Sequence, residues 1–446
     1  MKNMNPIDFI HELSWEQIPK HVQQQAKRCL LDTIGAAIGG RRTKLSHIIY
    51  DFAGSTFMGK GAFLWLDGRE VSPAGAALAH GMTIDALDIH DNFNSAKGHA
   101  GVAIIPTALA TLELNDNIIS GRELLTTLVV GYEIALRAGL ALHATACDYH
   151  TSGAWNALGC AALVARRLKL SEETTRHALG IAEYHGPRSQ MMRVIDHPTM
   201  LKDGSGWGAM SGVSAGLLAH KGFTGAPAIT VEAAEVAEFW ADIGERWYIN
   251  EQDFKRYAVC HWAQPPIAGT LELIHAHNIS PQNIDSIQVY TFHAGTHLTC
   301  RHPKTTEEAQ YSLPFPVAAA VIYGDLGPDE LSGKALTDPR VLELADRIEI
   351  CADDFCNNQF PSTQMARVCI KTTDGQTFES EAVEAPWDRS GIQQPNQPPD
   401  DELREKFAWL AADSLPESRT TQIEEKILNC DALADANALT ELLTAP

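Results

Sequence analysis

The sequence predicts a mainly α fold: a large all-helical domain formed by both chain ends, plus a smaller α+β lid domain. Three observations carry this. Apolar residues recur at helical spacing through roughly the first 260 positions, strand-like alternation is confined to the stretch between 284 and 383, and an amphipathic helix follows residue 400. At 446 residues the chain is also too long for one ordinary core. The expected divisions are 1–262 for the first part of the helical domain, 263–385 for the lid, and 386–446 for a linker and the returning helices.

From His21 to Ile38, the residues Val22, Ala26, Cys29, Leu30, Ile34, Ala37 and Ile38 keep helical spacing until Gly39 and Gly40 stop the run. Ser120 and Gly121 open a long segment that is apolar on more than one face, which predicts a buried helix. SGAWNALGCAALVARRLKL and SGWGAMSGVSAGLLAHKG are dense in Ala, Gly and Ser, so close approach of helix axes is expected. The texture changes at Pro265 and Pro266. A helix over about 267–277 leads into IDSIQVYTF (284–292), which alternates as a strand does. RIEICAD (347–353) and ARVCIKTTDGQTFESEAV (366–383) also read as strands, the latter with a hairpin turn at Thr373-Asp374-Gly375-Gln376. Between them EEAQYSLPFPVAAAVIYG reads as a helix with a proline-broken start. Residues 385–399 read as a linker, and Asp400 and Asp401 cap a helix with Leu403, Phe407 and Leu410 on one stripe.

Composition removes several classes. The formal net charge of −21 argues against nucleic acid and against an anionic membrane surface as partners. No run of 18 apolar residues is present, so no membrane span is expected. The N-terminal segment has acids and a Trp where a signal peptide needs an apolar run. Nine cysteines are scattered without a CxxC pair, which suits a reduced, cytoplasmic setting.

Four clusters could carry chemistry. The first, residues 84–106, crowds Asp85, Asp88, His90, Asp91, Lys97 and His99 just before an apolar helix. Carboxylates this close cannot all ionise comfortably when half-buried, so one can serve as an acid; a polar loop tied down by its own hydrogen bonds is an equally good reading. The second is Asp148 to Gly153, where Thr151 or Ser152 can cap the next helix and His150 can meet a substrate carboxylate at its N-terminus. A plain cap with an exposed His is the simpler alternative there. The third, residues 185–208, gathers Arg188, Arg193, His197 and Lys202, an arrangement suited to an anion pocket. The fourth, residues 253–266, sets Lys255, Arg256, Tyr257, Cys260 and His261 at the domain junction, with a Cys–His nucleophile pair as a minor possibility. No P-loop, GxGxxG or HExxH is present.

In this order, the clusters resemble those of the MmgE/PrpD family, which includes 2-methylcitrate dehydratase, cis-aconitate decarboxylase and iminodisuccinate epimerase. KRCLLDTIGAAIGG, DALDIHD followed by GHAGVAIIPTALA, YHTSGAWNALGCAALVARRLKL, GLLAHKGFTGAPAI, EAQYSLPFPVAAAVIYGDL and DDELREKFAWL carry the likeness across nearly the whole chain. The resemblance implies a helical domain with an α+β lid, a site between them, no metal, no cofactor, and a homodimer. It implies Asp88, His99, His150, Lys202 and Lys255 as catalytic residues and Asn92 as substrate-binding, and we add Arg188 and Arg193 as carboxylate clamps. Two departures set the chain apart: Asp85 stands where the family often has His, and Phe315 stands where decarboxylating members often have Tyr.

The implied function is a cofactor-independent lyase, a dehydratase of a hydroxylated di- or tricarboxylic acid of the 2-methylcitrate type, with His99 and Asp88 as the acid–base centre. An epimerase of an amino- or imino-dicarboxylate is the alternative. Behind these stand a cis-aconitate-type decarboxylase, a non-catalytic carboxylate-binding protein, and a metal-dependent hydrolase using Asp88, His90, Asp91 and His99.

Overall fold

The computed structural model describes residues 4–115, 117–387 and 397–444. Most of the linker expected over 385–399 lies outside these residues. The elements that matter for the site are α1 (Lys20–Gly40), α2 (Pro73–Asp85), α3 (Gly101–Ala110), α4 (Gly121–Thr145), α5 (Gly153–Leu168) and α6 (Ser205–His220). They are followed by α7 (Gln264–His277), β1 (Ile284–Thr291), α8 (Pro314–Tyr323), β2 (Ile348–Ala352), β3 (Met365–Thr372), β4 (Thr377–Glu379), β5 (Val383–Glu384) and α9 (Asp400–Ala411). The fold is mainly helical, as the sequence predicts.

Helix α4 is long and apolar enough to cross a membrane by length and composition, yet 89% of its apolar window is buried inside the protein. It is the core helix that its multi-sided apolar pattern predicts. Around it the small-residue helices touch backbone to backbone. A Cβ on Gly208 of α6 would lie 2.4 Å from the Gly153 carbonyl oxygen of α5, and one on Gly206 would lie 2.6 Å from the Leu78 oxygen of α2. These contacts leave no room for any side chain, which is why Gly recurs there. They also bring three points of the chain together: the C-terminal end of α2 at Asp85, the start of α5 at Ser152, and Asp203 just before α6. Gly208→Ala is therefore expected to destabilise the protein by about 1–3 kcal/mol through overpacking. A lowered midpoint in urea or thermal unfolding checks this.

In the α+β part, β1 pairs in parallel with β2 and antiparallel with β3, while β3 pairs with β4 and β5, giving the order β2-β1-β3-β4 with β5 on β3. Ile287 faces Ile370 and Val289 faces Val368 across the β1–β3 ladder, and all four are buried. The β3–β4 turn forms as expected, with Gly375 at φ +86 and the Gly375 N–H donating to the Thr372 oxygen at 2.9 Å. One boundary moves. Helix α7 starts at Gln264 rather than near 267, because Pro265 and Pro266 fall in its first turn, where a missing N–H costs nothing.

Helix α9 returns to the first helix. Gly35 and Gly39 of α1 leave space for Phe407 and Leu410. Beside them Lys406, 5% exposed, donates to Asp32 Oδ1 at 2.5 Å and to the Ile89 carbonyl oxygen at 2.7 Å. This returning helix is thus tied to the acid-rich loop.

Candidate active site

The loop after α2 turns sharply. Asp88 adopts φ +51, and its N–H donates to the Asp85 oxygen at 3.0 Å. A left-handed non-glycine residue costs roughly 1–2 kcal/mol, so it persists only where its surroundings hold it. Four residues later Asn92 exchanges backbone hydrogen bonds with Asp253 in both directions, at 2.9 and 2.8 Å. This bridge places Lys255 against the loop. Lys255 is wholly buried and donates to the Asp88 carbonyl oxygen at 3.0 Å and to its Oδ1. Lys202, itself at φ +50, comes within 3.9 Å of Asp88 Oδ2 and donates to Gln310 Oε1. Burial opposes ionisation of Asp88, but Lys255 and Lys202 outweigh it and hold the carboxyl well below its usual range. Asp88 is therefore the counter-ion of two lysines. The expected acid–base pair with His99 thus has its carboxylate held by two ammonium groups.

His99 presents one ring nitrogen without a proton. Its Nδ1 lies 2.7 Å from the Asp91 carbonyl oxygen, a pure acceptor, so Nδ1 carries the hydrogen and Nε2 presents a lone pair. Burial and then Lys255 lower its pKa to about 3, which keeps the ring neutral. Its N–H donates to Ser152 Oγ at 3.0 Å, and its carbonyl accepts from Asn156 Nδ2 at 2.8 Å. Asp91 supports it from behind: Tyr132 of α4 donates to Oδ2 at 2.5 Å, the Gly101 N–H donates to Oδ1 at 3.2 Å, and burial raises the carboxyl to about 7.

Other expectations are redistributed. Ser152 does not cap α5, since it has helical dihedrals and no capping bond; its hydroxyl instead donates to Asp203 Oδ2 at 2.6 Å. The Gly153 N–H is taken by the Asp203 carbonyl oxygen, which closes the expected anion site at this helix start. His150 is 7% exposed, with Nδ1 at 2.9 Å from the Asp148 oxygen and its N–H donating to His143 Nε2, so it is not the exposed cap residue of the simpler reading. Asn92 is buried, and its amide nitrogen donates to Asn94 at 2.7 Å, so its visible work is positional. Arg188 and Arg193 are exposed and do not join the buried lysines. Arg193, His197 and Lys202 share a cleft of about 310 Å³ with Thr151 and Trp207, whereas Arg188 lies in a separate crevice beside Ala138 and Glu183. The predicted clamp is therefore one Arg at the rim of a cleft rather than a pair, because the loop carrying them runs over the surface. Cys260 is no nucleophile: burial and the Asp88 charge push its thiol up to about 12, and the neighbouring His261 turns Nδ1 to Gln364 at 2.7 Å.

Three participants went unrecognised in the sequence. Asp203 and Gln310 were passed over as ordinary polar residues, although Asp203 directly follows Lys202. Tyr311 places its ring 4.7 Å below the Lys202 ammonium and is 2% exposed, so a phenol borders the site even though Phe315 has none. Asp88, His90 and His99 hold donor atoms within 4.8 Å of one another. Two ammonium groups already neutralise Asp88, and Asp91 is bonded to Tyr132, so this donor set does not suit a further cation.

A helical fold with a small α+β part thus encloses a neutral histidine, paired lysines and buried carboxyls. The chain belongs to the MmgE/PrpD family: residues 7–241 match the model of its N-terminal domain and residues 257–431 that of its C-terminal domain. Its relatives include the cis-aconitate decarboxylases of Aspergillus terreus and Homo sapiens, each 25% identical. These alignments cover 97% and 98% of this chain and 94% and 93% of those proteins. The mitochondrial 2-methylcitrate dehydratase of Yarrowia lipolytica is 22% identical, over 95% of this chain and 87% of that enzyme.

Proposed function

We propose that this protein is a lyase that dehydrates a hydroxylated di- or tricarboxylic acid by removing a proton next to a carboxylate. The observation that carries the reading is the unprotonated Nε2 of His99 beside the Lys255–Asp88–Lys202 group. His99 takes the proton, and the electron pair it leaves flows into the adjacent carboxylate. The lysine ammoniums stabilise the resulting enediolate charge, and loss of the β-hydroxyl as water completes the elimination. A ring whose pKa is about 3 is a feeble base in the empty site. A bound polyanion reverses this, because its charges oppose that of Lys255 and raise the basicity of Nε2 exactly when a proton must be taken.

The named relatives favour decarboxylation of a cis-aconitate-like acid as the second reading, since five of the six are described as cis-aconitate decarboxylases or like them. The same base and cations would serve a carbanion formed by loss of carbon dioxide. Incubation with citrate-like, cis-aconitate-like and aspartate-like acids in deuterated buffer, followed by NMR, separates the routes. Dehydration gives an alkene and solvent deuterium in recovered substrate; decarboxylation gives a product one carbon shorter; epimerisation gives deuterium without loss of water. Absence of all three across the panel overturns the lyase reading.

A further inference from the structure

Two buried carboxyls next to His99 have no part in the steps above. The Asp203 backbone N–H donates to Asp85 Oδ2 at 3.3 Å, which holds the Asp85 carboxyl against the Asp203 backbone. Ser152 donates to Asp203 Oδ2, and His99 Nε2 lies 4.0 Å from that same oxygen. Asp85 Oδ1 and Asp203 Oδ1 have no hydrogen-bond partner among the described residues. On the other side His90 is wholly buried, lacks a hydrogen bond at either ring nitrogen among the described residues, and holds Nε2 3.9 Å from Asp85 Oδ1. Its ring meets that of His99 edge-on at 4.6 Å between centroids.

We propose that Asp85 and Asp203 together hold one proton, that this proton is delivered to the leaving hydroxyl, and that His99 refills the pair. The proposal rests on the dehydratase reading and names its missing acid. Two carboxyls buried in one enclosed cluster disfavour each other's ionisation. Burial, and for Asp85 next the charge of Asp203, raise both above the usual carboxylate range. The groups that face them are Asp88, Lys202, Lys255, His90 and His99, with the phenols of Tyr149 and Tyr311. The lysines favour the ionised form, but they are already engaged by Asp88.

The balance closes. The C–H bond breaks, its proton goes to His99 Nε2, and its electron pair is held in the enediolate until it forms the new C=C bond as the C–O bond breaks. The departing oxygen takes the proton of the carboxyl pair and leaves as water. His99 now has one proton too many and the pair one too few. Transfer from Nε2 to Asp203 Oδ2, across the 4.0 Å approach, restores both.

The test uses Asp203→Asn and Asp85→Asn in the full-length protein. With Asp203→Asn, net dehydration is expected to fall about 10²- to 10⁴-fold, the usual worth of a positioned acid. Solvent exchange at the substrate C–H, which needs only His99, should stay within about threefold. With Asp85→Asn, the alkaline limb of the pH–rate profile should move to lower pH, because Asp203 loses the neighbour that repels its charge. Equal loss of exchange and dehydration in Asp203→Asn, or an unmoved limb in Asp85→Asn, overturns the proposal. If the wild-type protein is inert on the whole panel, the dehydratase reading fails by itself. Infrared difference spectroscopy still decides whether the shared proton exists: a protonated-carboxyl component that titrates away with rising pH and is lost in the wild-type minus Asp85→Asn comparison, apart from the Asp91 and Glu133 bands that both proteins keep, supports it, and identical spectra of the two refute it.

Discussion

His99→Asn lowers kcat/KM by about 10²- to 10⁴-fold, the range expected for removing a positioned base. The substitution is chosen for its geometry. The Asn amide nitrogen stands where Nδ1 stands and keeps the donor to the Asp91 carbonyl, while the proton-accepting Nε2 disappears. Folding should therefore change little, and the loss should lie in kcat more than in KM, because the carboxylate-facing lysines remain. The decisive measurement is solvent exchange: the variant should lose deuterium incorporation together with turnover. Exchange at the wild-type rate would move the base to another residue, with His150 the first to examine.

Lys406→Met breaks a buried ion pair and costs about 3–5 kcal/mol, because it strands the Asp32 carboxylate. Asp32 is 2% exposed, and Lys406 is the first of the charges that offset its burial. The Ile89 carbonyl oxygen also loses its donor, one residue from Asp88. Chemical denaturation should show the lowered stability. The double variant Lys406→Met/Asp32→Asn should recover part of it, since no charge is then left without a partner. A shift in KM at temperatures where the single variant is still folded would show that the tether also holds the loop's shape.

The helical class, the strand segments and the hairpin at Gly375 were legible because each depends on spacing within a few residues. The start of α7 was misplaced because Pro265 and Pro266 looked like a boundary, although the first helical turn accepts proline. The site divided along the same line. His99, Lys202 and Lys255 could be named from local pattern and family likeness, and they do converge. What pattern could not supply was the pairing across distance. Ser152 looked like a cap, yet its hydroxyl serves Asp203; Asp88 looked like an acid, yet two lysines from other parts of the chain keep it ionised. Arg188 and Arg193 looked like clamps because their charge stands out in an acidic chain, but the loop between them and α6 runs over the surface. The Gly-to-backbone contacts of α2, α5 and α6 decide all of this, and a run of small residues announces close packing without naming the partner.

The Lys406 tether has a consequence for how the protein is made. Ribosomes release a chain from its N-terminus, and early parts fold first. By the time residue 385 emerges, every side chain proposed to meet the substrate has been synthesised, from Asp85 to Lys255. The fastening of Ile89 has not, because Lys406 is still inside the exit tunnel or not yet translated. The loop that carries Asp88 therefore acquires its last anchor near the end of translation, and a nascent chain can hold the whole chemical inventory before it holds the working arrangement.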